Sequence, residues 1–483
     1  MALPVTDPGA RPSAVAVAVE PPAAEHEVRA TRRWRPRPTP VIAVFLAAAA
    51  LLSRVYTTNS LAGEPTSDEY LYAVHARDLA RAWMTGQAMS PSALTVEGRS
   101  VAVEAAALSF VLPWDQLTIG RTMQALLNAL CIPMTFMLGR QVRLPRMAAV
   151  SGALLLMAIP EFQELSWRFW TDSQATFLCL VYLSGLASFA WRPGVVAAVV
   201  ALTGLNLLAL TKESAAVTFT PFLALAVATP LSRRWSDSLR TSLSAAAVVM
   251  GVAFVGLLVL LLIAPPDLAR FGLLDKTFGA GPMILSSVRD AIPRVPGYSQ
   301  QLTTIFGPRE LGMGTVWAIL VGYAWVLAQA SVSLVTAVPR ASLWLVGWLA
   351  AALVWGVAVI TPARDLNLIG QADPWVAVAA ASLLVGVGSV GVWLHGGRPH
   401  AWGLALIGLV VLAVLAERLV ISVTPKVSAA ALTFRSLMPT VPLYALLAGC
   451  GIFGMASGLA LVAARARSAR SGVTLVATLV LVL

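Results

Sequence analysis

The chain has 483 residues, 58% of them hydrophobic and only 12% charged, with a mean hydropathy of +0.79. Soluble domains carry about 25% charged residues, so the composition excludes a string of soluble domains and indicates an all-α polytopic membrane protein. The net charge of +11 fits an arginine excess on the cytoplasmic face better than a nucleic-acid partner.

Residues 1–39 are rich in Ala, Pro, Arg and Glu without apolar periodicity and read as a disordered cytoplasmic tail. The run at 40–55 follows too long a polar segment for a cleaved signal peptide and reads as a retained anchor. Further windows near the spanning length of about 20 residues fall at 117–139, 146–161, 172–191, 194–211, 213–231, 241–264, 313–337, 341–361, 375–394, 401–422 and 437–462. A last run, 472–483, is too short to span; either the chain is cut there or the segment ends within the bilayer. The expectation is about 12–13 transmembrane helices within a single domain, 40–483.

Counting spans fixes alternate sides. Arg140, Arg143, Arg146, Arg192, Arg233, Arg234, Arg240, Arg340, Arg398, Arg465, Arg467 and Arg470 fall in one set of short loops with the N-terminal tail, which makes that side cytoplasmic. Most acids and all three lysines, Lys212, Lys276 and Lys426, fall on the other side. Two long extracytoplasmic loops, about 56–116 and 265–312, are expected to carry short amphipathic helices and function. Cys131, Cys179 and Cys450 sit inside apolar runs, so neither a disulfide framework nor a zinc site is indicated. No phosphate-cradling loop and no dinucleotide fingerprint is present.

The first outer loop contains "PTSDEYLYAVHARDLARAW", which reads as a surface helix with Asp68, Tyr72 and His75 on one face at i, i+4 and i+7. The same residues have a purely structural reading, because Thr66-Ser67-Asp68-Glu69 is a capping box. In "LSWRFWTDSQATFLCL", Asp172 is either a helix cap or a second carboxylate facing Asp68. Trp167 and Trp170 read mainly as interfacial anchors. In "LALTKESAAVTFTP", Lys212 and Glu213 interrupt an apolar stretch, which is costly unless the pair is used. Arg435 precedes the last span, where its planar fork suits a phosphate.

These four blocks resemble the GT-C membrane glycosyltransferases, a superfamily that includes protein O-mannosyltransferases, aminoarabinose transferases of lipid A and bacterial dolichyl-phosphate-mannose-type mannosyltransferases. "SDEYLYAVHARDLA" resembles their acidic motif in the first outer loop, "RFWTDSQATFLCL" a later Asp-containing segment, "LALTKESAAVTFTPFLAL" their Lys-Glu span, and "RSLMPTVPLYALLAG" their late Arg- and Pro-containing span. Ser214 and Ala215 stand where the family commonly has Gly or Pro, and the subfamily stays open.

The resemblance implies a GT-C-like fold and an inverting transfer of a sugar from a polyprenyl-phosphate donor to a lipid, glycan or protein acceptor outside the plasma (inner) membrane. It implies Asp68 as general base, with Glu69 and Asp172 as further catalytic groups and the candidate ligands of a divalent cation, Mg or Mn. Lys212 and Arg435 would meet the donor phosphate; Glu213, Tyr72 and His75 would bind substrate. Two other readings compete: a transporter or flippase of lipid-linked or hydrophobic solutes, which calls for broken helices and ionisable groups at mid-membrane depth, and a non-catalytic scaffold.

Overall fold

The computed structural model describes residues 38–61, 63–87, 101–191, 194–211, 314–315, 317–319, 321–322, 325 and 438–468. Backbone contacts divide the chain into residues 1–42, of which only the start of the first helix is described, and residues 43–483, which hold every other element. The described residues are helical and contain no strand. In chain order the helices are α1 (Pro38–Leu61), α2 (Ser67–Met84), α3 (Val101–Leu108), α4 (Gln116–Gln141), α5 (Arg146–Ala158), α6 (Pro160–Glu164), a 3₁₀ turn (Leu165–Trp167), α7 (Asp172–Trp191), α8 (Val195–Thr211) and α9 (Val441–Ser468).

Among the described residues, three helices are long and apolar enough to cross a membrane: α1, α4 and α9, within Thr39–Thr57, Gln116–Gln141 and Val441–Ala460. The pair α5–α6 makes a fourth candidate, bent by 64°. The bend has a local cause. Pro160 opens α6, and Ile159 before it is extended (φ −64, ψ 119), the conformation a following proline imposes. The expected spans over 213–422 and the loop 265–312 lie outside the described residues, apart from a few helical residues between 314 and 325. The loop expected from residue 56 begins later, because α1 continues to Leu61.

α4 is the central helix, packing on α2, α3, α5 and α7, with 61% of its apolar window buried against 17% for α1. α1 turns Val44, Phe45, Leu52 and Tyr56 outward, the face a membrane would cover. α4 ends at Val142 in a Schellman turn: Leu144 N–H donates to the Gly139 carbonyl at 2.9 Å, and Arg143 takes the left-handed slot (φ 65) that usually holds glycine.

α5 and α9 meet through small residues. Ala148 and Gly152 on α5 face Ala445 and Gly449 on α9, so closely that a Cβ on Gly152 would lie 2.8 Å from the Ala445 carbonyl oxygen. This is the small-xxx-small packing of membrane helices. Gly152→Leu or Gly449→Leu should therefore cost about 1–3 kcal/mol by overpacking, read as a lower thermal unfolding midpoint in detergent. Gly458→Leu is the control, since nothing stands within 4 Å of its added Cβ; an equal loss there would remove the packing explanation.

Candidate active site

The first turn of α2 is built as its sequence dictates. Thr66 caps the helix, its hydroxyl accepting from Glu69 N–H at 3.4 Å, while Glu69 Oε2 accepts from Thr66 N–H at 2.9 Å. The capping box is therefore present, and the same carboxylate does much more. Glu69 Oε1 accepts from Arg121 Nε and from the backbone N–H of Phe169, each at 2.9 Å. Glu69 Oε2 accepts from Arg121 Nη2 and Arg168 Nη1, each at 3.3 Å. The Glu69 side chain has no exposed surface, and Arg121 and Arg168 are 12% and 19% exposed. Burial pushes the Glu69 carboxyl up, but the Arg121 hydrogen bond, the Thr66 and Phe169 N–H groups and the Arg121 charge outweigh it and hold the carboxyl below its ordinary value.

Glu69 thus joins the start of α2, the first turns of α4 and the segment that leads into α7. Two more bonds tighten the junction: Arg168 Nη1 donates to the Glu64 carbonyl at 3.3 Å, and Trp170 Nε1 donates to Thr66 Oγ1 at 3.1 Å. Trp170 therefore fastens this junction. Behind them Tyr72 stacks obliquely on Phe169, centroids 5.8 Å apart.

The head of α7 is a buried polar cluster. Thr171, Asp172 and Ser173 are all buried, and Asp172 is the first residue of the helix, where the macrodipole favours an anion. Gln174 N–H donates to Gln124 Oε1 at 3.1 Å, and Gln174 Nε2 donates to both oxygens of Glu104 at 2.7 and 2.6 Å. Below it, Asn128 Nδ2 donates to the Phe162 carbonyl at 2.8 Å and to Ser173 Oγ at 3.2 Å. Gln124 Nε2 and Gln174 Oε1 are buried without a hydrogen-bond partner among the described residues.

The expected site residues are distributed as follows. Asp68 and His75 are half-buried on α2 and Tyr72 is buried beside them. Asp68 precedes Glu69 by one residue, and Asp172 follows Trp170 by two, so the Glu69 junction brings their two segments together. Lys212, Glu213 and Arg435 lie outside the described residues, although α8 runs up to Thr211. Sequence reading missed Glu104, Arg121, Asn128, Arg168 and Gln174. Except for the Arg168–Glu164 pair at i, i+4, their partners are 34–104 residues away along the chain, beyond the reach of a local pattern.

A divalent cation does not fit at Glu69. Both its oxygens already face two guanidinium groups and backbone donors, and no group of three or more His, Cys, Asp or Glu side chains that could hold a metal ion occurs among the described residues. A cavity of about 440 Å³ lined by Gln141, Ser184, Ser188 and Val195 lies at the opposite end of α4 and contains none of the candidate residues.

No family model matches the chain, and no curated protein matches it. Among solved structures it is similar to an oligosaccharyltransferase of Archaeoglobus fulgidus tethered to an acceptor peptide containing the NVT sequon, with a TM-score of 0.35 and 12% identity over 86% of this chain and 55% of that one. It is also similar to the archaeal oligosaccharyltransferase AglB from Archaeoglobus fulgidus in complex with an inhibitory peptide and a dolichol-phosphate, with a TM-score of 0.35 and 14% identity over 86% of this chain and 56% of that one. The chain thus spans little more than half the length of either.

Proposed function

We propose that the protein is a multi-pass glycosyltransferase of the plasma (inner) membrane. In this reading its N-terminus is cytoplasmic and its site faces outward. It moves a sugar from a polyprenyl-phosphate donor to a hydroxyl of a lipid, glycan or protein acceptor. Asp68 takes the proton from the acceptor hydroxyl, whose oxygen attacks the sugar C1 from the face opposite the leaving group. The C1–O bond to phosphate breaks, polyprenyl phosphate leaves, and the anomeric configuration inverts. Lys212 and Arg435 are assigned to the phosphate on sequence grounds, with Glu213 and His75 near the substrate. Tyr72 acts through its packing on Phe169, and Glu69 positions Asp68 rather than reacting. No step runs through a metal.

One observation carries this reading. The acidic motif of α2 and the Asp-containing segment of α7, about 100 residues apart in sequence, are fastened to each other by Glu69 and Trp170. The junction also stiffens the fold, and in doing so it sets the segments of Asp68 and Asp172 side by side. The test uses the full chain in lipid nanodiscs with a panel of labelled polyprenyl-phosphate pentoses and hexoses, and nucleotide sugars as controls. Transfer from a lipid-linked donor with inversion is expected. Turnover driven by nucleotide sugars, or retained configuration, would rule the proposal out.

The transporter or flippase reading draws on two features, the bent pair α5–α6 and the buried arginine Arg54 of α1. Both interrupt apolar stretches: Ile159 lies 13 residues beyond Arg146, about 20 Å at ~1.5 Å per residue, and Arg54 lies within Thr39–Thr57. Movement of intact lipid-linked sugar across reconstituted vesicles without C1–O cleavage would favour the transporter instead.

A further inference from the structure

Arg54 has no exposed surface, yet every group that satisfies it is neutral. Its Nε donates to Asn128 Oδ1 at 2.7 Å and its Nη2 to the Met157 carbonyl at 3.3 Å. Its guanidinium carbon stands 5.8 Å from the centroid of the Phe162 ring. Nη1 is buried and has no hydrogen-bond partner, and no carboxylate among the described residues pairs with it. Glu161 is the acid next to Phe162 in sequence. Its Oε2 is itself unpartnered, and Arg54 is not among the charges acting on it.

A guanidinium keeps its charge wherever it sits, and leaving a buried charge uncompensated is strongly unfavourable. Neutral dipoles and a ring face soften that cost without cancelling the charge. The free Nη1 edge calls for an anion, and the planar fork suits a phosphate oxygen.

The position of Arg54 says which phosphate. It follows Pro38 by 16 residues, about 24 Å along α1 at ~1.5 Å per residue, inside the apolar stretch Thr39–Thr57. It shares Asn128 with the head of α7. α1 is also the least enclosed span, with 17% of its apolar window buried against 50% for α9. A lipid headgroup arriving sideways from the bilayer would reach Nη1 by displacing α1, a route open to an amphiphile.

We propose that Arg54 is a lateral phosphate site for a membrane-embedded lipid phosphate, here the polyprenyl phosphate of the donor or released product. The identity of the lipid rests on the proposed function; the need for an anion at Arg54 does not. Arg54 also holds α1 against the break in α5–α6, so the test must separate charge recognition from packing.

The full chain in nanodiscs is titrated with a polyprenyl monophosphate, the matching uncharged polyprenol and phosphatidylglycerol, with binding read by native mass spectrometry. Arg54→Gln should weaken the monophosphate about 10- to 100-fold, the range a charge-assisted hydrogen bond supplies, and leave polyprenol unchanged. Arg54→Lys, which keeps charge but not the fork, should fall between. Equal monophosphate affinity in the native chain and Arg54→Gln would overturn the site. If Arg54→Gln does not fold, Arg54→Lys decides, and unchanged affinity there overturns it too. Arg54-dependent binding of phosphatidylglycerol as tight as that of polyprenyl phosphate would overturn the polyprenyl assignment. No binding of polyprenyl phosphate by the native chain would remove this inference and the proposed function together.

Discussion

Asp68→Asn is expected to lower sugar transfer by about 10²–10⁴-fold, the usual contribution of a positioned general base, while the protein stays folded. Asn matches Asp in size and offers an oxygen at the same place, but it cannot accept the acceptor proton. Asp68 is the second residue of α2, where an acid gains about 0.3–1 kcal/mol from the helix dipole, which Asn forgoes. The Glu69 junction next to it is left whole, because none of its bonds involves Asp68. The two quantities to measure are the transfer rate and the thermal midpoint. A rate within threefold of the native enzyme, at an unchanged midpoint, would show that Asp68 is not the base. A large fall in both would mean that Asp68 serves the fold. Asp68→Glu sharpens the result, since a longer carboxylate restores the chemistry in part but not the geometry.

Sequence patterns reached the structure wherever the determining forces were local or purely apolar. The windows 117–139, 172–191 and 194–211 match the helices α4, α7 and α8 closely, and of these three α4 is long and apolar enough to cross a membrane. Thr66-Ser67-Asp68-Glu69 was legible as a cap because its bonds close within three residues. The same periodicity put Asp68, Tyr72 and His75 on one face of a helix but could not say what that face meets. Phe169 covers Tyr72, and that contact depends on how α7 is placed. Glu69 is the clearest case. Its local pattern declared a cap, its charge suggested chemistry, and its real partners, Arg121 and Arg168, stand 52 and 99 residues away. Arg54 escaped notice for a related reason. It sits near the end of an apolar run, where a lone arginine reads as a headgroup anchor, and only its burial beneath Asn128 and Phe162 shows otherwise. The window 146–161 took α5 and the start of α6 as one span, where the structure breaks the helix at Pro160.

Glu69→Ala should be the most damaging single change to the described fold. It takes their shared carboxylate from two arginines that are 12% and 19% exposed, leaving Arg121 without a charged partner in the junction and Arg168 with the more exposed Glu164 at 3.6 Å, and it leaves the Phe169 and Thr66 N–H groups without their acceptor. Breaking a buried pair in this way costs about 3–5 kcal/mol, a large part of the stability of any domain. Glu69→Gln separates the causes, since it keeps the shape and one acceptor oxygen but removes the charge. Arg121→Met should cost more than Arg168→Met, because Arg121 donates through two nitrogens at 2.9 and 3.3 Å and Arg168 through one at 3.3 Å. Acid supplies an independent readout. The folded Glu69 carboxyl lies below its ordinary value of 4.5, so the unfolded chain binds this proton first and stability falls with falling pH. The contribution is complete above about 4.5 and is lost as pH drops through the lower folded value. In the native protein the unfolding midpoint should therefore decline on acidification from about pH 5 downward, and in Glu69→Gln that part of the decline should be missing. Transfer activity distinguishes a merely stable fold from a positioned site. If Glu69 holds Asp68 opposite the head of α7, Glu69→Gln loses turnover even at temperatures where it remains fully folded, and the loss falls on kcat more than on KM. Full activity in a folded Glu69→Gln protein would separate the junction from catalysis and leave it a structural clasp.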